Sequence, residues 1–225
     1  MSKKDQFFSI LKSAKISKKT RASFETINRE VFFDRSFKNE LYQGTVLPIG
    51  YGEKSDDPVT LAKMIDLLGL KKTSTVLEVG TGTGYSTALL ASLAAKVTSV
   101  EYVRELALAA KNKVHTAGFT GTSFLAGDAT EINKTKCFDA LIIFAGCSLT
   151  PKLILDTLVP GGIAVFPMGP SHQQQIVRYV RDDSKKDPLK NYEFHDYCFF
   201  NSIRGPYGWR DQVQGYFIDH EGVQK

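Results

Sequence analysis

The sequence predicts an α/β fold: a doubly wound, mostly parallel seven-stranded sheet preceded by an N-terminal helical extension. Two observations predict it. From Thr75 onward, apolar runs of strand length alternate with segments of helical spacing, as parallel strands joined by crossover helices require. Between the first of these strands and its helix, glycine recurs at alternate positions, Gly80, Gly82 and Gly84, so the backbone can turn sharply there without Cβ clashes. The 225 residues, 42% of them hydrophobic, suffice for one sizeable core and not for two. We therefore expect a single domain over 1–225, with 1–57 as N-terminal helices and a loop and 58–225 as the α/β core.

The elements follow in order. Residues 1–21 read as a short helix carrying Phe7, Phe8, Ile10 and Leu11 on one side, then a basic connector; a second helix covers Ala22 to Val31. Gly44 to Pro58 is a loop rich in turn formers. Pro58 then suits the first turn of a helix to Leu68, in which Leu61, Met64, Ile65 and Leu68 keep helical spacing. Strands are expected at Thr75–Val79, Lys96–Glu101, Thr122–Ala126, Phe138–Phe144 and Ile163–Pro167, and helices at Tyr85–Leu93, Val103–Ala117 and Pro151–Leu158. Pro160-Gly161-Gly162 reads as a turn. Gln174–Val180 and Tyr197–Ile203 are strand-like and complete the sheet as its antiparallel edge, with the charged stretch Arg181 to Lys190 as a loop.

Charge and cysteine content exclude several classes. The net charge of +5 is concentrated partly at Lys3, Lys4, Lys12, Lys15, Lys18, Lys19 and Arg21, opposed there by Asp5 alone. Without interleaved aromatic residues such a run reads as a solvated helix face, not a nucleic-acid groove. Cys137, Cys147 and Cys198 are odd in number and lie far apart, so neither a disulfide framework nor a metal site is expected. His172 and His195 have no ligand partner at regular spacing and read as loop residues. No apolar run approaches the roughly 18 residues of a membrane span, and no secretory leader is evident. A cytoplasmic protein without membrane partners is the expectation; oligomeric state is not legible.

The chemistry lies around the glycine turn. Glu78-Val-Gly80-Thr81-Gly82-Thr83-Gly84 follows a buried strand and opens a helix whose free N–H groups suit an anionic ligand end. A dinucleotide turn would space its glycines G-x-G-x-x-G. The G-x-G-x-G spacing behind an acid instead resembles the methyltransferases that bind S-adenosylmethionine. Glu101 ends the second strand, where a carboxylate can accept from both ribose hydroxyls. Gly127-Asp128-Ala129 closes the third, where Asp128 can accept from an adenine amine and Gly127 lets the backbone approach the ring. Thr81, Thr83 and Ser86 around the turn, and Tyr102 beside Glu101, complete the candidate cofactor set.

The flanking segments resemble one branch of these enzymes. Asn28-Arg-Glu-Val-Phe-Phe-Asp34 and Leu47-Pro-Ile-Gly-Tyr-Gly52 resemble the N-terminal region of the protein-L-isoaspartate O-methyltransferases, whose loop before the cofactor domain reads LPIGxGQTISQP. Val165-Phe-Pro-Met-Gly-Pro170 resembles their VIPVGP, and Phe199-Phe-Asn-Ser-Ile-Arg-Gly-Pro-Tyr-Gly-Trp209 their FVPLxGxxGW. The likeness spans residues 22 to 210 and implies methyl transfer from S-adenosylmethionine to the carboxylate of L-isoaspartyl residues in damaged proteins or peptides.

The departures from that pattern lie on the acceptor side. An ungapped match puts Asp56 at the family's serine, and Ser55 takes its place only if the loop shifts by one residue. Ile143 to Pro151 is one residue shorter than the family's IVTAAAPxxIP, and VPL becomes Asn201-Ser202-Ile203. Asp56 and Ser55 are thus the candidate catalytic residues. An ionised Asp56 facing the site would repel a carboxylate acceptor and would suit an O- or N-methyltransferase of small molecules, with Asp56 as base. Alternatively, Asp56 and Asp57 cap the helix that begins at Pro58.

Overall fold

The computed structural model describes residues 2–133, 135–184 and 188–209. Two helices lead, α1 (Lys3–Ser13) and α2 (Lys18–Thr26), then 3-10 turns at Arg29–Val31 and Arg35–Phe37 and a small hairpin of β1 (Pro48–Gly50) and β2 (Glu53–Lys54). The α/β part runs α3 (Pro58–Leu67), β3 (Thr75–Val79), α4 (Tyr85–Leu93), β4 (Lys96–Glu101), α5 (Arg104–Thr116), β5 (Thr122–Ala126), β6 (Phe138–Ile143), α6 (Lys152–Leu155), β7 (Leu158–Met168), β8 (Gln174–Val180) and β9 (Tyr192–Cys198).

These form a seven-stranded sheet in the order β5-β4-β3-β6-β7-β8-β9. The pairs among β3 to β7 are parallel, and β8 and β9 pair antiparallel at the edge. The doubly wound, mostly parallel sheet with an N-terminal helical extension is therefore the observed fold. Strand order reverses at β3, so a crevice opens at the carboxyl ends of β3 and β6, where such sheets bind ligands.

The core divides along the strands with period two. Val76, Ala140, Ile142 and Val165 face a cluster shared with α3, α4 and the N-terminal helices. Leu77, Leu141, Ile143, Ala164 and Phe166 face a second cluster under α6. Leu77, Leu141, Ile142 and Ile143 are fully buried, and each such side chain contributes roughly 1.5–3 kcal/mol. Burial on both faces explains why these strands read as continuous apolar runs.

Several boundaries differ from expectation. The stretch from Lys18 is no connector: Ser17 caps α2 through the Thr20 N–H. Asp66 of α3 fixes the start of α2 by accepting from the Ser17 N–H, the Ser17 hydroxyl and the Thr20 hydroxyl. The second helix accordingly starts four residues early and stops at Thr26, with Arg29–Val31 a separate 3-10 turn. Of the four apolar residues in α1, Phe7 and Leu11 are buried one turn apart and Ile10 is exposed. The Pro160–Gly162 turn lies inside β7 as an irregularity of its pairing with β6, and α6 ends at Leu155 because Leu158 already pairs with Phe138.

The last strand also moves. β9 covers Tyr192–Cys198, not Tyr197–Ile203. The apolar residues after Cys198 leave the edge and return over the carboxyl end of β6. There the Gly146 N–H donates to the Asn201 carbonyl (2.7 Å) and the Ile203 N–H to the Gly146 carbonyl (2.9 Å). Ser148 Oγ donates to the Tyr207 carbonyl, and Trp209 Nε1 to the Gly169 carbonyl. This return lays residues 199–204 along the crevice. Among the described residues no helix is long and apolar enough to cross a membrane.

Candidate functional site

A cavity of about 460 Å³ occupies that crevice. Its floor is the glycine turn. Gly80, Gly82 and Gly84 all have positive φ, of 93°, 52° and 87°, a backbone that side chains resist. Gly80 and Gly82 line the cavity with Thr81, Thr83 and Ser86. Gly84 does not: it caps α4 and faces α5, where a Cβ would stand 2.9 Å from Val114 Cγ2.

Glu78 also lies behind the wall. It is fully buried, accepts from the Thr87 hydroxyl at 2.5 Å, and keeps Oε1 without a partner among the described residues. Burial pushes its carboxyl up to about 7, opposed by the nearby hydroxyls of Ser86, Ser99 and Thr87, which favour the anion. Thr81 turns inward to Ser99, at 2.5 Å. Glu78 and the Thr81 hydroxyl therefore brace the turn from beneath.

Glu101 ends β4 and reaches back over the turn. Its Oε2 accepts from the Gly82 N–H (2.9 Å) and its Oε1 from the Val103 N–H (3.0 Å). Each oxygen retains a further lone pair for an incoming hydroxyl. Asp128 divides its oxygens: Oδ1 accepts from the Thr130 N–H and hydroxyl, both at 2.8 Å, and Oδ2 faces Gly205. A Cβ at Gly127 would meet nothing within 4 Å, so the space above it belongs to the cavity. Tyr102, half exposed, and Ala129 complete this end. A diol acceptor, an amine acceptor and a slot free of side chains in sequence along one wall suit a ribose and an adenine.

The other wall comes from the N-terminal region. Asp57 caps α3, its Oδ1 accepting from the Thr60 N–H (2.7 Å) and hydroxyl (2.8 Å). Asp56 does not cap; it lines the cavity. Replacing Asp57 by alanine should cost about 1 kcal/mol of stability, read as a lowered denaturation midpoint. A midpoint equal to that of the parent protein would remove the capping role.

Asp56 keeps part of its surface on the cavity, with protein around it on the other sides. Burial, then the nearby Glu78 carboxylate, pushes its carboxyl up to about 7, opposed by Arg29. Among the described residues nothing hydrogen-bonds this carboxyl. Ser55 lines the same wall, but its Oγ already accepts from the Leu47 N–H at 2.9 Å.

Sequence reasoning missed Arg29, Glu53 and Arg204. Arg29 lines the cavity although 1% exposed, with Nε and Nη1 unpartnered among the described residues and its guanidinium over the Phe33 and Tyr85 rings. A single charge on a 3-10 turn carries no periodicity that marks it as buried. Glu53 of β2 accepts from Arg204 Nη2 and Asn201 Nδ2, both at 3.1 Å, tying the hairpin to the returning segment. These partners lie 148 and 151 positions apart, beyond any local pattern.

Comparison with known proteins agrees with this geometry. The family model for protein-L-isoaspartate(D-aspartate) O-methyltransferase matches residues 2–199. The protein-L-isoaspartate O-methyltransferase of Methanoculleus marisnigri is 34% identical over 193 residues, covering 85% of this chain and 86% of that protein. Its counterpart in Dictyoglomus thermophilum is 32% identical, covering 93% and 94%. A solved protein-L-isoaspartate O-methyltransferase superposes with a TM-score of 0.78 at 25% identity, over 91% of this chain and 67% of that one. A candidate protein-L-isoaspartate O-methyltransferase from Plasmodium falciparum, solved with S-adenosyl-L-homocysteine, shares the fold (TM-score 0.75, 18% identity, 91% and 99% covered). The chain belongs to the protein-L-isoaspartate(D-aspartate) O-methyltransferase family.

Proposed function

We propose that this protein transfers a methyl group from S-adenosylmethionine to the free carboxylate of L-isoaspartyl residues in damaged proteins or peptides. The observation that carries it is the family match over residues 2–199, joined to a crevice with one wall suited to a ribose and an adenine. When bound, S-adenosylmethionine supplies a methyl group on a positively charged sulfur. Glu101 would take the ribose hydroxyls, and Asp128 the adenine amine. Gly127 would leave room for the ring, and the turn from Gly80 to Ser86 would take the amino-acid end. The acceptor carboxylate is already a nucleophile at neutral pH, so the protein needs to align it and exclude water and needs no general base.

Asp56 and Ser55 stand on the acceptor side, the former as the family's serine position. The N-terminal region up to residue 57 would form the acceptor wall and the α/β core the cofactor wall of one domain. Three free cysteines, one of them exposed, favour work in a reducing compartment such as the cytoplasm.

The test is direct. With S-adenosylmethionine present, the protein should add one methyl group to an isoaspartyl peptide and release one S-adenosylhomocysteine, and should do neither with the aspartyl twin. Cofactor binding without turnover of the isoaspartyl peptide would sink the assignment.

A further inference from the structure

The replacement of the family's serine by Asp56 leaves a physical problem that rests on the proposed reaction. A carboxylate acceptor must be received by a wall that itself carries a carboxyl group. Three features of that wall bear on it. Asp57 does the capping, so Asp56 is left on the cavity with no hydrogen bond among the described residues. Arg29, buried and without a partner at Nε and Nη1 among the described residues, lines the same cavity and cannot lose its charge. Glu78 lies behind the glycine turn as a second buried acid.

We propose that Asp56 receives the acceptor carboxylate as a hydrogen-bond donor, the two carboxyl groups sharing one proton beside the fixed cation of Arg29. The groups facing Asp56 are Glu78 from β3, Arg29 from the 3-10 turn and the adjacent Asp57 at the cap of α3, with Tyr85 of α4 against Arg29. Two of these are acids that resist a second negative charge, and burial already pushes Asp56 up to about 7. A further carboxylate at contact distance raises the proton affinity of the pair again, as in any two acids that share a site. A protonated Asp56 offers an O–H where a serine would offer one. The balance is simple. The free acceptor oxygen attacks the methyl carbon, the methyl–sulfur bond breaks with its electron pair on sulfur, and the proton stays with Asp56.

The sign of the pH dependence follows. The productive pair holds one proton, so kcat/KM should fall about tenfold per pH unit above the pKa of Asp56 in the free enzyme, and kcat only above the upper pKa of the pair in the complex. Asp56→Asn keeps a donor and cannot ionise; Asp56→Ser restores the hydroxyl. Both should retain turnover, and their kcat/KM should stay level between about pH 7 and 9. Parallel profiles for parent and variants would overturn the proposal. So would loss of turnover in both with cofactor binding intact.

A second measurement is made first on the parent protein. Titration of the parent's S-adenosylhomocysteine complex with isoaspartyl peptide near pH 8, in buffers of different ionisation enthalpy, should show net proton uptake. No uptake overturns the proposal, as does equal uptake by Asp56→Ser, which would place the proton on Glu78. No turnover of the isoaspartyl peptide by the parent at any pH would instead remove the function itself.

Discussion

Replacing Glu101 by alanine should weaken S-adenosylhomocysteine binding by about 100- to 1,000-fold. The carboxylate accepts from the backbone of Gly82 and of Val103, and hydrogen bonds to a charged group are worth about 1.5–3 kcal/mol each. Its removal frees the middle of the glycine turn and deletes the proposed ribose acceptor together. At about 1.4 kcal/mol per tenfold, the proposed ribose contacts and the loss of turn order amount to roughly 3–4 kcal/mol. Glu101→Gln keeps one oxygen as acceptor but adds a donor facing an N–H, so its loss should be smaller, about tenfold. Calorimetric titration separates the cases. An alanine variant that binds within threefold of the parent would show that Glu101 only shapes the turn.

That glutamate was legible in the sequence for a definite reason. It ends a six-residue run that must be a buried strand, and strand order then carries it to the mouth of the crevice. The same holds for Gly127 and Asp128 after β5. Parallel strands place their carboxyl ends at one edge, so residues distant in sequence meet without long-range information beyond the sheet itself. The boundaries of β3, α4, β4, β5 and β8 agree with the expected ones, because contiguous apolar runs and glycine turns are strong local signals.

What stayed illegible depends on contacts between elements that no local signal links. Adjacent acids before Pro58 both satisfy the preference for a helix cap, and only the backbone path decides that Asp57 caps while Asp56 turns to the cavity. Phe199 and Phe200 carry a strand's composition but sit in a segment that abandons the sheet edge for the Gly146 backbone. Arg29 is the sharpest case. A permanently charged side chain is buried there among aromatic rings and beside Asp56 and Asp57, the two acids that precede α3. The acceptor side is built from such long-range meetings, which is why the cofactor side could be read first.

The second large effect concerns Gly84, whose replacement by valine should destabilise the fold by about 3–5 kcal/mol. Two independent costs add. The residue has φ of 87°, and a left-handed backbone costs an L-residue roughly 1–2 kcal/mol, more when it is β-branched. A Cβ there would also stand 2.9 Å from Val114 Cγ2, 3.1 Å from Ala110 Cβ and 3.2 Å from the Ala110 carbonyl oxygen. Overpacking of this kind costs about 1–3 kcal/mol. With natural domains stable by about 5–15 kcal/mol, melting should fall by roughly 6–20 °C. The two costs can be told apart. Val114→Ala opens the space without touching the backbone, so in a double-mutant cycle it should recover the steric share, about 1–2 kcal/mol, and leave the conformational share. Full rescue would show that Gly84 is needed only for close packing of α4 on α5. No rescue would assign the whole effect to its left-handed backbone. Partial rescue is the expected result, since both the turn that approaches the cofactor and the helix that starts behind it converge on this one residue.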